Sequence, residues 1–469
     1  MPEAAASRLK SLAEQVLGAP LPVRLRAWDG SEAGPPGAPV LVVRRRRALR
    51  RLLWKPGELG LVRAWVAGEL DVEGNLYEAL DRLAGTVWDR DDDTRDAGVP
   101  VPHGTSGAGS RAPARKSGFA AALPKPVRNA KVAVDALRDP EVRAALASFA
   151  ALAGPLPPPP PPREEARRAG RGHLHTKRSD KAAVSHHYDV GNDFYELVLG
   201  PSMVYSCAYW EPGDAATLEN AQRDKLELIC RKLDLKPGER LLDVGCGWGS
   251  MAIHAAREHG VRVVGVTLST EQAAYARKRI ADEGLTDRVE IRVQDYRDVV
   301  DGPYDAISSI GMAEHVGSVR YLEYTQDLYA LLKPGGRLLN HQIARRPVQD
   351  ESAYRVDPFI DAYVFPDGEL APVGTTVGLL ERAGFEVRDV ESIREHYALT
   401  LRRWVANLEA GWRTAVRLTS PGRARVWRLY MAACALSFER NRIGVNQVLA
   451  VKTPAAGTSG MPLRARTWN

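Results

Sequence analysis

Two groups of residues in this chain have the types and spacing to do chemistry. The first is LLDVGCGWGS, Leu241 to Ser250. Its leucines, aspartate and valine read as a short buried strand; Gly245, Gly247 and Gly249 let the backbone turn, and MAIHAAREHG continues as a helix. Glycines at such a junction leave room for a ligand against main-chain N–H groups at a helix N-terminus. A dinucleotide fingerprint sets its third glycine three residues after the second, whereas here Gly249 follows Gly247 by two. That spacing fits S-adenosylmethionine better. The second group is a carboxylate and an imidazole, Glu314 in SIGMAEHVG and His341 in LLNHQIA, types that can hold and move a proton.

Both groups need a scaffold that brings distant loops together, and the sequence supplies one. After the glycine stretch, strand and helix patterns alternate: 262–267 (strand), 271–283 (helix), 289–293 (strand), 306–310 (strand), 321–332 (helix) and 337–343 (strand). Such alternation predicts an α/β fold with a parallel, doubly wound sheet, whose ligands sit at the carboxyl ends of the strands. Four loops then meet, those after 241–244, 262–267, 289–293 and 306–310. Thr267, Leu268 and Ser269 end the second strand without the usual acidic ribose partner, and Gln272 on the next helical turn can substitute. Asp295, after the third strand, can accept from an adenine amino group. Strands one and four are neighbours in this topology, so Glu314 is expected to project beside the glycine loop. His341 and Ile343 end the adjacent fifth strand, so Glu314 and His341 are expected to face one pocket. Residues 345–372 form an insertion long enough to serve as a substrate cover, followed by amphipathic segments at 399–413 and 424–440.

At 469 residues the chain exceeds one ordinary domain. Residues 1–87 read as a small α/β accessory or lipid-binding domain, with strands at 21–28 and 39–43. Its arginine cluster, Arg44 to Arg51, can meet phosphate or form a solvated face. Residues 88–182 read as a linker with room for a helix or two: an acidic run, a Gly/Ser-rich stretch, six prolines at 157–162 and a basic tail cannot make one core. Residues 183–453 are the catalytic domain and 454–469 a flexible tail. The four cysteines form no CxxC or disulfide array, no run of eighteen apolar residues occurs, and no signal-peptide pattern opens the chain. These features point to a cytoplasmic protein. The net charge of +7 suits an anionic partner. Nucleic acid is not expected, because amino-group methylases of nucleic acids carry D/N-P-P-Y after the fourth strand and SIGMAEHV has no such prolines.

The motifs HHYDVGNDFYELVLG, MVYSCAYW, LLDVGCGWGS, VTLSTEQ, GMAEHVG, the NHQI strand, HYALTLRRW and YMAACALSFERN together resemble the cyclopropane-fatty-acyl-phospholipid synthases and mycolic acid cyclopropane synthases. The resemblance runs from about 184 to the last strand near 452. It implies a class I methyltransferase, Rossmann-like, with a seven-stranded and mostly parallel sheet. It also implies a reaction: a cis alkene of an unsaturated phospholipid attacks the methyl of S-adenosylmethionine, and the resulting cation loses a proton to a bound bicarbonate as the cyclopropane closes. The family's bicarbonate ligands map to Cys207, Glu314, His341, Ile343 through its backbone, and Tyr397. Cofactor contacts map to Tyr205, Ser206, Asp243, Gly245, Cys246, Gly247, Thr267, Ser269, Gln272, Asp295 and Tyr296. Tyr188, Tyr209 and Trp210 are candidates to stabilise the cation by their π faces. Cys434 stands where a nucleophilic cysteine has been placed in the family, although a helical cysteine among Ala, Leu and Phe reads as core. Membrane contact is expected to be peripheral, at an inner membrane face, through basic residues at 44–51 and 163–181. A homodimer is compatible with the family, as is a partner reductase if the cation instead yields a methylene branch.

Overall fold

The computed structural model describes residues 3–96, 140–154, 157–166, 176–177, 180, 190–213, 216–348, 350–351, 354–463 and 466. Tyr188, most of the expected linker and most of the basic stretch at 163–181 lie outside the described residues. The chain divides into two compact units, Met1–Glu164 and Glu165–Asn469.

The first unit holds α1 (Ala5–Leu17), β1 (Arg24–Arg26), β2 (Glu32–Ala33), β3 (Val40–Val43), α2 (Arg47–Trp54), α3 (Glu58–Val66), β4 (Leu70–Glu73), α4 (Leu76–Asp96) and α5 (Pro140–Ala153). Its sheet runs β2-β1-β3-β4, with β1 and β3 parallel. Leu9, Val23, Leu25, Val43 and Leu49 form the core, and Leu152 and Ala153 of α5 pack into it. This helix falls within the stretch expected to link the domains. Its apolar face finds burial that composition averaged over a long window conceals.

The arginine cluster is not a uniformly solvated face. Arg51 is buried and bonds Glu69 at 2.8 Å, Arg47 reaches the same carboxylate at 3.1 Å, and Arg44 pairs with Asp71 at 2.7 Å. The end of β3 and helix α2 place these arginines over Glu69, just before β4, and Asp71 within it. Arg45 and Arg46 remain exposed, with Arg46 over the Trp28 ring.

The second unit comprises α6 (Asn192–Leu199), α7 (Leu218–Leu233), β5 (Arg240–Val244), α8 (Ser250–His259), β6 (Arg262–Thr267), α9 (Thr270–Asp282), β7 (Val289–Val293), β8 (Tyr304–Ile310), α10 (Ala313–Val316), α11 (Tyr321–Leu331), β9 (Leu332–Arg345), α12 (Pro358–Tyr363), α13 (Val373–Arg382), β10 (Glu386–Ser392), α14 (Arg394–Ala410), α15 (Trp412–Leu418), α16 (Pro421–Glu439) and β11 (Ile443–Val451). Its seven strands are ordered β10-β11-β9-β8-β5-β6-β7. The run from β9 to β7 is parallel, and β11 joins β9 and β10 antiparallel. The central strands are covered on both faces, which is why RLLDV and RVVGVT read as continuous apolar runs rather than alternating ones. One face packs on α7, α8 and α9 through Ile229, Leu241 and Leu339; the other packs on α11 and α13 through Leu242, Leu328 and Leu338. Among the described residues no helix is long and apolar enough to cross a membrane.

Candidate active site

β5 ends at Val244, and the chain turns through Gly245 and Gly247, both at positive φ (74° and 53°), before α8 begins. The carboxyl ends of β5, β6, β7 and β8 surround an open cleft. Of the expected cofactor residues, Tyr205, Ser206, Asp243, Gly245, Cys246, Gly247, Thr267, Leu268, Gln272, Asp295 and Tyr296 line it. Gly249 and Ser269 do not. Gly249 is needed for packing, since a Cβ there would lie 3.0 Å from Ala276 Cβ of α9. Ser269 caps α9, its Oγ accepting from the Gln272 N–H at 3.2 Å.

Several polar side chains line the cleft. Thr267 Oγ1 donates to Gln272 Oε1 at 3.0 Å, orienting that amide at the end of β6. Burial pushes the Asp295 carboxyl up, but Arg297, bonded at 2.6 and 2.8 Å, more than offsets it and keeps the group ionised as an acceptor. Asp243 accepts from Ser308 Oγ at 2.7 Å, and burial raises its carboxyl to about 6.

Lys225 is a lining residue that the sequence reading missed. It is fully buried on α7, donates to Ser206 Oγ at 2.8 Å, and burial lowers its ammonium to about 8. Lys225 and Lys232 stand seven residues apart on the buried face of α7, and that spacing is the signal in the sequence.

Glu314 does not sit beside the glycine loop. That place is held by Met312, whose Cγ would be 2.4 Å from a Cβ on Gly245. Glu314 turns instead toward β9, where Oε1 accepts the Ile343 N–H at 2.8 Å. Ile343, expected to be a bicarbonate ligand through its backbone, thus has its N–H engaged in fixing Glu314. The insertion adds a second hold: the Glu369 N–H donates to the Glu314 carbonyl at 2.9 Å, and the Glu369 carboxylate accepts from the Ser318 N–H at 2.8 Å. Burial raises the Glu314 carboxyl to about 7.

The remaining expected catalytic residues lie in the buried interior rather than on the cleft wall. His341 is buried, with Nδ1 3.3 Å from Gln447 Nε2. Glu314 Oε2 and His341 Nε2 are both buried with no hydrogen-bond partner among the described residues. The Tyr397 hydroxyl is held well above its ordinary range by burial first, then by neighbouring Tyr205, Cys207 and Glu314. Cys207 is a buried thiol, 3.2 Å from the Ala208 carbonyl oxygen and 3.6 Å from that of Ile393. Burial also pushes the Cys434 thiol up, so it is protonated at neutral pH and a poor nucleophile.

Tyr209 and Trp210 are committed elsewhere. Tyr209 stacks on His396 at 4.7 Å, while Trp210 donates through Nε1 to Thr400 and through its backbone to His396. The aromatic faces next to Tyr397 belong to Trp404, one heptad along α14, and to Phe438 of α16. Tyr205 lies 5.4 Å from Trp404 and 5.9 Å from Trp427.

The chain as a whole has known relatives. The mycolic acid cyclopropane synthetase family matches residues 175–448. A probable fatty acid methyltransferase of Mycobacterium tuberculosis is 42% identical over 445 residues, 94% of each chain. The cyclopropane-fatty-acyl-phospholipid synthase of Escherichia coli is 40% identical over 276 residues, 59% of this chain and 69% of that one. Among solved structures, mycolic acid cyclopropane synthase CmaA1 complexed with SAH and CTAB has a TM-score of 0.55 at 36% identity, over 58% of this chain and 98% of that one. The chain thus belongs to the mycolic acid cyclopropane synthetase family and is an S-adenosylmethionine-dependent methyltransferase.

Proposed function

We propose that the chain methylates a cis double bond in an unsaturated phospholipid acyl chain and closes it to a cyclopropane ring. The observation that carries this reading is the pair of buried, unpartnered polar atoms, Glu314 Oε2 and His341 Nε2. Leaving such groups unpaired costs about 1–3 kcal/mol each, so an interior that keeps two of them suits a small polar guest. A bicarbonate-type anion fits the set: Tyr397 and Cys207 keep their protons, and Glu314, raised to about 7, can accept or donate. When bound, S-adenosylmethionine supplies the electrophilic methyl, and the anion supplies a base that spares the protein's own carboxylates from alkylation. The chain's residues do the rest. The glycine turn and Gln272 hold the cofactor, and Glu314 receives the proton at Oε2. Trp404, Tyr205 and Phe438 exclude water and present π faces to a cation.

A second reading has its own support. Two relatives matched over 94% of this chain, at 42% and 36% identity, are described as probable fatty acid methyltransferases. In this second reading the cation loses a different proton and leaves a methylene branch for a partner reductase. One experiment separates the readings. The purified chain is incubated with S-adenosylmethionine and vesicles of a monounsaturated phospholipid, and the product is read by mass and proton NMR. Gain of one CH₂ with upfield ring protons is the expected result; vinylidene signals select the branched product, and no gain overturns a phospholipid acceptor.

Contact with the membrane is proposed to be peripheral and electrostatic. Each basic side chain near an anionic surface contributes about 1 kcal/mol, and that attraction is screened by salt. Activity on anionic vesicles is therefore expected to fall several-fold as salt rises, while cofactor affinity measured by titration stays constant. Vesicle activity indifferent to salt removes the electrostatic contact.

A further inference from the structure

We propose that Lys232 and Gln447 fix His341 as the neutral tautomer whose one ring proton sits on Nε2, making it a permanent hydrogen-bond donor into the catalytic interior. The inference rests on the proposed function only for what that donor meets; the tautomer itself follows from the chain's own residues.

Lys232 of α7 has no exposed surface, and its Nζ lies 2.5 Å from Glu391 Oε2 and 2.8 Å from Gln447 Oε1. Beside that carboxylate the amine is an ammonium, which has three donors and no lone pair. Gln447 must therefore turn its carbonyl oxygen toward Lys232, because the flipped amide would set NH₂ against NH₃⁺. The other end of the amide is then the NH₂ group, 3.3 Å from His341 Nδ1. Gln447 and His341 are directly opposed across β11 and β9, so their side chains share one face of the sheet. An amide donor at Nδ1 requires a lone pair there, and the ring proton goes to Nε2. Burial, with the charges of Lys225 and Lys232 nearby, holds His341 well below its ordinary range and keeps the ring neutral. Nε2 is the buried nitrogen that has no partner among the described residues.

The relay gives each residue a distinct task. Glu391 keeps Lys232 charged, Lys232 sets the amide, and the amide sets the ring without adding charge of its own. A carboxylate at 447 would do the reverse, accepting a hydrogen bond from Nδ1–H and favouring imidazolium. With Nε2 protonated, His341 can hold an anion's oxygen but cannot take the substrate's proton, which leaves that task to the side facing Glu314. Lys232 and Gln447 are thus positioning residues, acting through His341.

The test reads the tautomer directly. The full chain is labelled with ¹⁵N-histidine, long-range proton–nitrogen spectra are recorded with and without bicarbonate, and His341 is assigned by comparison with His341→Gln. The wild type is expected to show a protonated Nε2 and an unprotonated Nδ1. Gln447→Glu is expected to move the ring to the Nδ1–H or doubly protonated form and to lower kcat about tenfold to a hundredfold, with cofactor Kd within about twofold. A wild-type ring protonated on Nδ1 overturns the proposal. So does a Gln447→Glu variant that is folded yet unchanged in tautomer and kcat. If that variant does not fold, the wild-type spectrum decides alone. An Nε2–H signal and a rate that are both indifferent to bicarbonate uphold the tautomer while removing the anion from the proposed function.

Discussion

Replacing Glu314 with Gln is expected to abolish most activity while making the protein more stable at alkaline pH. The carboxyl is buried, its ordinary value of 4.5 raised to about 7 by desolvation, and only Oε1 is satisfied. The folded protein therefore holds this proton to about pH 7, whereas the unfolded chain releases it near 4.5. Between those values the folded state binds more protons, so its stability falls as pH rises, and above about 7 the loss is constant. The interval corresponds to about 3 kcal/mol. A glutamine keeps the acceptor for the Ile343 N–H and has no proton to lose. Thermal unfolding at about pH 8 should place the variant a few degrees above the wild type, and the gap should close by about pH 4. Its kcat should fall about a hundredfold to ten-thousandfold, the range typical of a lost proton-transfer group. A variant that is inactive but no more stable at alkaline pH would mean that Glu314 is not the desolvated carboxyl described here.

The second large effect concerns the cofactor loop. Ala at Gly245 would place a Cβ 2.4 Å from Met312 Cγ and 2.7 Å from Sδ, at a φ of 74°. The left-handed backbone costs about 1 kcal/mol for a residue with a Cβ, and overpacking adds about 1–3 kcal/mol. Met312 is the flexible partner and will be the one to move. It lines the cleft, so it moves at the cofactor's expense. Titration of Gly245→Ala with S-adenosylmethionine should show Kd raised about tenfold to a hundredfold. Adding Met312→Ala restores the space but not the backbone strain, and the double variant should recover most of the loss. If it recovers none, the cost lies in the main-chain N–H groups and not in the Met312 contact.

What the sequence determined by itself is what contiguous residues encode. The strand patterns at 262–267 and 289–293 coincide with β6 and β7, because a central strand buried on both faces leaves a continuous apolar run and the edge strand β7 leaves an alternating one. The glycine turn, the strand–helix alternation and the order of the loops around the cleft are likewise properties of short windows. Tertiary structure decided the rest. Met312 and Glu314 are two residues apart in a helical turn, about 200° around the axis, so the one facing Gly245 sends the other toward β9. No local pattern sets that phase. His341 meets Gln447 across 106 positions and Gln447 meets Lys232 across 215, so strand pairing and helix docking had to precede any assignment of the ring proton. Arg44, Arg47 and Arg51 read as one basic run until the chain around β4 sets Glu69 and Asp71 against them. Chemistry that depends on which distant groups share a low-dielectric interior is settled only when the chain closes around them.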